Sequence, residues 1–208
     1  MQKRVMIIAG EASGDLHGAE LVRAIQALEP QVRFLGIGGT AMTAAGVDIR
    51  FDAAALSVVG ITEVVPKIPQ ILKGLRVVRR ILRQETPDLL ILIDFPDFNL
   101  MAAKAAKRAG VKVLYYISPQ VWAWRRGRVR TIARRVDHMA VILPFEADFY
   151  HQNGVPATYV GHPLLDQILP LQRTSKEPYE LSVPVIIALL PGSRHTEIDR
   201  HLPLMLQS

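Results

Sequence analysis

Leu89-Leu90-Ile91-Leu92-Ile93-Asp94-Phe95-Pro96-Asp97-Phe98-Asn99 is the stretch that decides the fold. Its first five residues are apolar at every position, as expected of a central parallel strand covered on both faces. Asp94 marks where that strand emerges at its carboxyl end, and Phe98 to Ala109 reads as a helix ended by Gly110. Strand, polar corner and helix form the repeating unit of an α/β protein.

The unit recurs in both directions. On the amino-terminal side, Val5 to Ala9 reads as a strand and Leu16 to Leu28 as a helix with Leu16, Ala19 and Ala27 facing inward. Arg33 to Ile37 is a second strand, and Thr40 to Ala45 a short helix stopped by Gly46. On the other side, Lys112 to Tyr116 is a strand, and His138 to Ile142, Glu146 to Asn153 and Thr158 to Val160 continue the alternation. The order predicts an α/β fold: an open parallel sheet with helices on both faces, spanning residues 1–170. Residues 171–184 are polar, carry two prolines and read as a linker. Val185 to Leu190 then starts a new strand, Pro191-Gly192-Ser193-Arg194 a turn, and Glu197 a helix. One strand and one helix cannot bury their own apolar faces, so residues 185–208 read as the truncated start of a second α/β domain.

Composition narrows the class. Half of the 208 residues are hydrophobic, enough for a sizeable core, and the absence of cysteine excludes a disulfide framework or a thiolate metal site. The amino-terminal apolar run is five residues, too short for a signal-peptide core, and no stretch approaches the ~20 apolar residues of a membrane span. The expectation is a soluble, cytoplasmic protein. A net charge of +6 suggests anionic partners, with cations clustered from Lys67 to Arg83 and from Arg125 to Arg135.

Several strand ends carry residues suited to chemistry. Gly10-Glu11-Ala12-Ser13-Gly14-Asp15 lies between the first strand and first helix, where ligands bind in a parallel sheet. Its glycines allow close backbone approach, and its carboxylates suit sugar hydroxyls better than a phosphate; Asp15 also fits a helix cap. Asp94, at the mouth of the apolar strand, is placed to serve as a general base. Asp97 and Asn99 fit cap or turn roles on pattern alone. Tyr115 to Arg125 holds both tryptophans and leads into an arginine run, which suits one wall of a ligand cleft or an aromatic packing corner. His162, in Gly161-His162-Pro163, fits a ligand contact or a loop bond equally well. The turn at 191–194 opens a helix whose N-terminus, with Arg194, suits a diphosphate. Leu56 to Arg83 carries Val58, Val59, Ile61, Val64 and Val65. An amphipathic pattern follows, with Ile71, Leu72, Leu75, Val78, Ile81 and Leu82 on one face and Lys67, Lys73, Arg76, Arg79, Arg80 and Arg83 on the others. That pattern suits an anionic membrane surface or an ordinary sheet-covering helix with a solvated basic face.

Seven motifs in order, GEASGD (10–15), VVGITEV (58–64), IDFPDFN (93–99), YYISPQVWAWR (115–125), LPFE (143–146), YVGHPL (159–164) and LPGSRHTEI (190–198), resemble the lipid-A-disaccharide synthase family. These are inverting glycosyltransferases of the GT-B type, with two facing Rossmann-like domains. The resemblance implies transfer of diacylglucosamine from UDP to the 6′-hydroxyl of diacylglucosamine 1-phosphate, giving lipid A disaccharide 1-phosphate and UDP. It implies Asp94 as the base, and substrate contacts from Glu11, Ser13, Gly14, Asn99, Gln120, Trp122, Arg125 and His162. For the nucleotide sugar it implies Gly192, Ser193, Arg194 and Glu197, with no metal and no cofactor. It favours the membrane reading of Leu56 to Arg83, hence a peripheral place on the inner face of the inner membrane, and it admits an oligomer. Residues 1–208 alone are expected to be folded but inactive. The alternative is another GT-B-type transferase or an epimerase acting on a soluble UDP-sugar. A nucleic-acid-binding module fits poorly, because the aromatics precede the arginine run instead of interleaving with it.

Overall fold

The computed structural model describes residues 2–56, 64–172, 187–192 and 195–207. Seven strands form one parallel sheet: β1 (Arg4–Ala9), β2 (Arg33–Gly38), β3 (Asp48–Asp52), β4 (Leu89–Ile93), β5 (Lys112–Tyr116), β6 (His138–Val141) and β7 (Ala157–Tyr159). The helices are α1 (Ala12–Leu28), α2 (Thr40–Ala44), α3 (Val64–Gln84), α4 (Pro96–Arg108), α5 (Val129–Arg135), α6 (Pro144–Gln152), α7 (Leu164–Gln172) and α8 (His195–Gln207). The order β3-β2-β1-β4-β5-β6-β7 places the topological switch between β1 and β4, which pair from Val5↔Leu89 to Ala9↔Ile93. A crevice opens at the carboxyl ends of the strands at such a switch.

The apolar runs are buried on both faces because successive side chains point opposite ways. Met6, Ile8, Leu90 and Leu92 join Leu75, Val78 and Leu82 of α3 and Phe98 and Ala102 of α4 in one core. Ile7, Ala9, Ile91 and Ile93 join Ala19 and Val22 of α1 and Met42 of α2 in the other. The run 89–93 therefore had to be apolar throughout.

The structure departs from the sequence expectations in four places. Helix α1 starts at Ala12, and its buried face is Gly14, Asp15, Gly18, Ala19 and Val22. Leu16 and Ala27, expected to face inward, are exposed. The face is built from small residues because α2 lies close: a Cβ on Gly18 would stand 2.8 Å from Met42 Sδ. Strand β3 was not expected, since its alternately half-buried and exposed residues carry a weak apolar signal. Helix α7 runs to Gln172, inside the span expected to be linker. Ile187 to Leu190 carry no strand and are exposed. A strand needs a hydrogen-bonding neighbour, which those residues lack among the described residues. The remainder of the expected linker and second-domain strand, the motif at 58–63, and Ser193 and Arg194 lie outside the described residues.

The chain divides into two compact units, Met1–Leu165 and Asp166–Ser208. All seven strands belong to the first.

Candidate functional site

Of the five non-glycine residues with positive φ among the described residues, four follow β4 or β5 at the carboxyl edge: Asp94, Phe95, Ile117 and Arg125. Left-handed backbone costs roughly 1–2 kcal/mol per L-residue, so it persists where surrounding contacts enforce it.

Asp94 (φ 43°) and Phe95 (φ 45°) form a double left-handed corner between β4 and Pro96, the first residue of α4. Two buried side chains grip it. Asn99 Nδ2 donates to the Ile93 carbonyl at 3.0 Å and to the Asp94 carbonyl at 2.7 Å. The Tyr115 hydroxyl donates to the same Asp94 oxygen at 2.5 Å. Burial, and secondarily the Asp94 carboxylate, push the Tyr115 phenol well above its ordinary range, so it stays a donor. Asp94 itself is half-buried. Asn99, expected at the substrate, is fully buried; its Nδ2 is committed to two backbone carbonyls, whereas its buried Oδ1 has no hydrogen-bond partner among the described residues. Asp97 is no cap: its carboxylate pairs with Arg128 and, at 3.9 Å, with Arg125.

The loop after β1 meets this corner. A Cβ on Gly10 would stand 2.2 Å from Phe95 Cγ, so only glycine lets the two loops touch. Glu11 beyond it is half-buried, Ser13 is exposed and Gly14 is buried. Asp15 is buried. Its carboxylate accepts from the backbone N–H groups of Gly39 (2.6 Å), Ala41 (2.9 Å) and Met42 (3.2 Å). Asp15 does cap a helix, but it is α2 and not its own.

The loop after β5 forms the third wall. Trp122 Nε1 donates to Glu146 Oε1 at 3.1 Å, and Leu143 N–H donates to Glu146 Oε2 at 3.1 Å. Trp122 also packs edge-on against Phe145, ring centroids 4.9 Å apart. Trp122 is thus anchored from one side, whereas Gln120, Trp124 and Arg125 are exposed, with the Arg125 guanidinium 5.8 Å from the Trp124 ring centre. Below the loop, Ser118 Oγ and the Tyr150 hydroxyl lie 2.6 Å apart, and burial pushes Tyr150 up to about 12.

Asp94, the Gly10-Glu11 loop and the aromatic loop therefore share one edge, and Arg125 reaches the first turn of α4 through Asp97. His162 is half-buried, and its Nδ1 accepts from Leu164 N–H at 3.2 Å, which gives that nitrogen a loop role. In the second unit Gly192 has φ 121° and lies against Glu197. Sequence reasoning missed Tyr115, Phe95 and Glu146 as supports. Glu146 and Tyr115 did stand in quoted motifs, LPFE (143–146) and YYISPQVWAWR (115–125), but neither was given this supporting bond. Among the described residues no cluster of three His, Cys, Asp or Glu could hold a metal ion.

A family model described as lipid-A-disaccharide synthetase matches residues 5–208. The chain belongs to this family. It is 53% identical to the lipid-A-disaccharide synthase of Geobacter metallireducens, over 99% of this chain and 54% of that protein. With the Trichlorobacter lovleyi enzyme it shares 52% identity over 99% of this chain and 55% of that protein. The chain thus spans about half the length of the curated relatives it matches. Among solved structures it resembles the UDP-GlcNAc 2-epimerases of Neisseria meningitidis (TM-score 0.58, 11% identity, 82% of this chain and 50% of that one) and Methanocaldococcus jannaschii (TM-score 0.51, 12% identity, 84% and 49%). At such identity the likeness establishes the fold alone, here a seven-stranded parallel sheet covered on both faces.

Proposed function

We propose that this chain supplies the acceptor-side half of an inverting hexosyltransferase that makes the lipid A disaccharide. A diacylglucosamine carried on UDP is transferred to the 6′-hydroxyl of diacylglucosamine 1-phosphate, releasing UDP. The observation that carries this reading is Asp94: a half-buried carboxylate at the mouth of the central apolar strand, in a strained corner touching the Gly10-Glu11 loop. Inversion needs in-line attack by a hydroxyl that is losing its proton, and Asp94 is the base that takes it. Glu11 and Ser13 meet sugar hydroxyls, and Gln120, Trp122 and Arg125 form the facing wall. Residues 1–170 make this half, 171–184 link it onward, and 185–208 begin the nucleotide-sugar half. There Gly192, Ser193, Arg194 and Glu197 bind the nucleotide sugar, with the helix N-terminus and Arg194 stabilising the departing UDP.

Both substrates carry acyl chains, which the protein must collect from a bilayer. On α3, Ile68 and Leu72 are exposed apolar residues beside the exposed Lys73 and Arg76, with Arg79, Arg80 and Arg83 further along. This segment, Leu56 to Arg83, holds the protein peripherally on an anionic surface, the inner face of the inner membrane. No helix among the described residues is long and apolar enough to cross a membrane. The second reading, a transferase or epimerase acting on a soluble UDP-sugar, gives that exposed apolar and basic face no task.

The test is transfer of radiolabelled sugar by the full-length protein from acylated and deacylated UDP-glucosamine. Acylated donor alone should react, and Asp94→Asn should lower kcat by roughly 10²–10⁴ without unfolding the protein. Equal use of both donors favours the second reading, and near-wild-type turnover of the variant removes Asp94 as base. Sedimentation with anionic vesicles should weaken with salt and with paired Arg79→Glu and Arg83→Glu changes; indifference to both would leave α3 a solvated helix.

A further inference from the structure

The corner after β4 is held by two side chains that arrive from different elements and converge on one atom. Asn99, from the first turns of α4, and Tyr115, from β5, both donate to the carbonyl oxygen of Asp94. A carbonyl oxygen has two lone pairs, and both are occupied. Both donors are fully buried, so swinging the peptide between Asp94 and Phe95 out of its left-handed setting would strand two donors away from water. Phe95, whose own φ is left-handed, is wedged against Gly10 and packs 5.7 Å from the Phe98 ring, which closes the remaining route by which the corner could relax. The Asp94 carboxylate hangs from this backbone by a single methylene and moves with it. The raised Tyr115 phenol keeps its proton wherever the enzyme works, so this half of the grip does not titrate.

We propose that Asn99 and Tyr115 are positioning residues for Asp94: by fixing the peptide that follows it, they set the direction in which its carboxylate meets the acceptor hydroxyl. Neither touches substrate. The inference rests on Asp94 being the base. It also explains why a phenol and an amide are buried where an apolar pair would have packed: a Phe and a Leu would fill the space but leave the corner free to rotate.

Tyr115→Phe removes one oxygen and keeps the ring's packing, so it carries the test. It is made in the full-length enzyme, alone and in the Asp94→Asn background. Expected alone is a kcat lower by roughly ten- to a hundredfold, the scale of a small misplacement of a reacting group, with KM for both sugars unchanged. In the Asp94→Asn background it should cost nothing further, because the group it positions is gone. Asn99→Asp, which exchanges the donating amide for an acceptor of equal size, should follow the same pattern. Wild-type kcat for Tyr115→Phe, or the same fold-loss in both backgrounds, would reduce the pair to fold stabilisers. Full activity of Asp94→Asn by itself is a separate result: it sinks the base, and the positioning role with it.

Discussion

The two edges of the sheet make opposite use of polar residues. At the amino edge lies a cavity of about 650 Å³ lined by Arg4, Arg33, Asp48, Arg50 and Glu85 among others. Four of these charges pair among themselves: Arg50 with Asp48 at 2.6 Å and Arg4 with Glu85 at 3.5 Å, all at partly exposed positions. Such pairs contribute little and ask nothing of the backbone. At the carboxyl edge strained residues cluster, and buried amides, hydroxyls and carboxylates are spent on holding particular groups in place. The proposed site is chosen by strain with donors aimed at it, and not by volume.

The comparison can be broken by mutation, and the largest stability effect should come from Asp15. Asp15→Ala leaves three backbone N–H groups at the start of α2 without their carboxylate. Urea unfolding should show a loss of about 3 kcal/mol; a loss near zero would mean that water replaces the carboxylate and that this polar group is not structural. Next comes Gly10→Ala, whose methyl must displace Phe95. Overpacking of that kind costs roughly 1–3 kcal/mol, and transfer activity should fall with it because the Asp94 corner moves. Retained activity would separate the two loops functionally. The smallest effect belongs to the amino edge: Glu85→Ala should alter stability by no more than about 0.5 kcal/mol and leave kcat untouched. A clear loss of turnover there would end the contrast between the edges.

Much of this was legible in the chain. Leu89–Ile93 and Lys112–Tyr116 match the expected strands residue for residue: near-complete burial gives the first an uninterrupted apolar run, and the second, with Lys112 exposed and Val113 and Tyr115 buried, is marked by its β-branched and aromatic residues. The buried face of α1 was not legible, since it holds small residues that let neighbours come close: Gly14 lies against Ala9 and Ile93 of the sheet, and Gly18 against Met42 of α2. Strand β3 was hidden because an edge strand half in solvent needs few apolar residues. For the site, the position of Asp94 followed from the strand that precedes it. The bonds of Tyr115 and Asp15 did not, because their partners are set by contacts across the fold: Asp15 reaches a helix that begins at Thr40, and Tyr115 reaches back to Asp94 from the neighbouring strand. Sequence spacing reports which residues could bond locally; it does not report which distant peptide needs them.

The pairing of β1 with both β2 and β4 has a consequence during synthesis. β2 can zip onto β1 as soon as Gly38 clears the ribosome, but the other side of β1 waits for Leu89–Ile93. At ~5–20 residues per second the nascent chain spends several seconds with an unfilled strand edge made of Val5, Met6, Ile7, Ile8 and Ala9. An open, wholly apolar edge is a template for pairing with other chains, so this interval is when the protein is most exposed to aggregation. Chaperone capture should therefore be strongest on ribosome-bound chains that end before β4 and should drop once that strand has emerged.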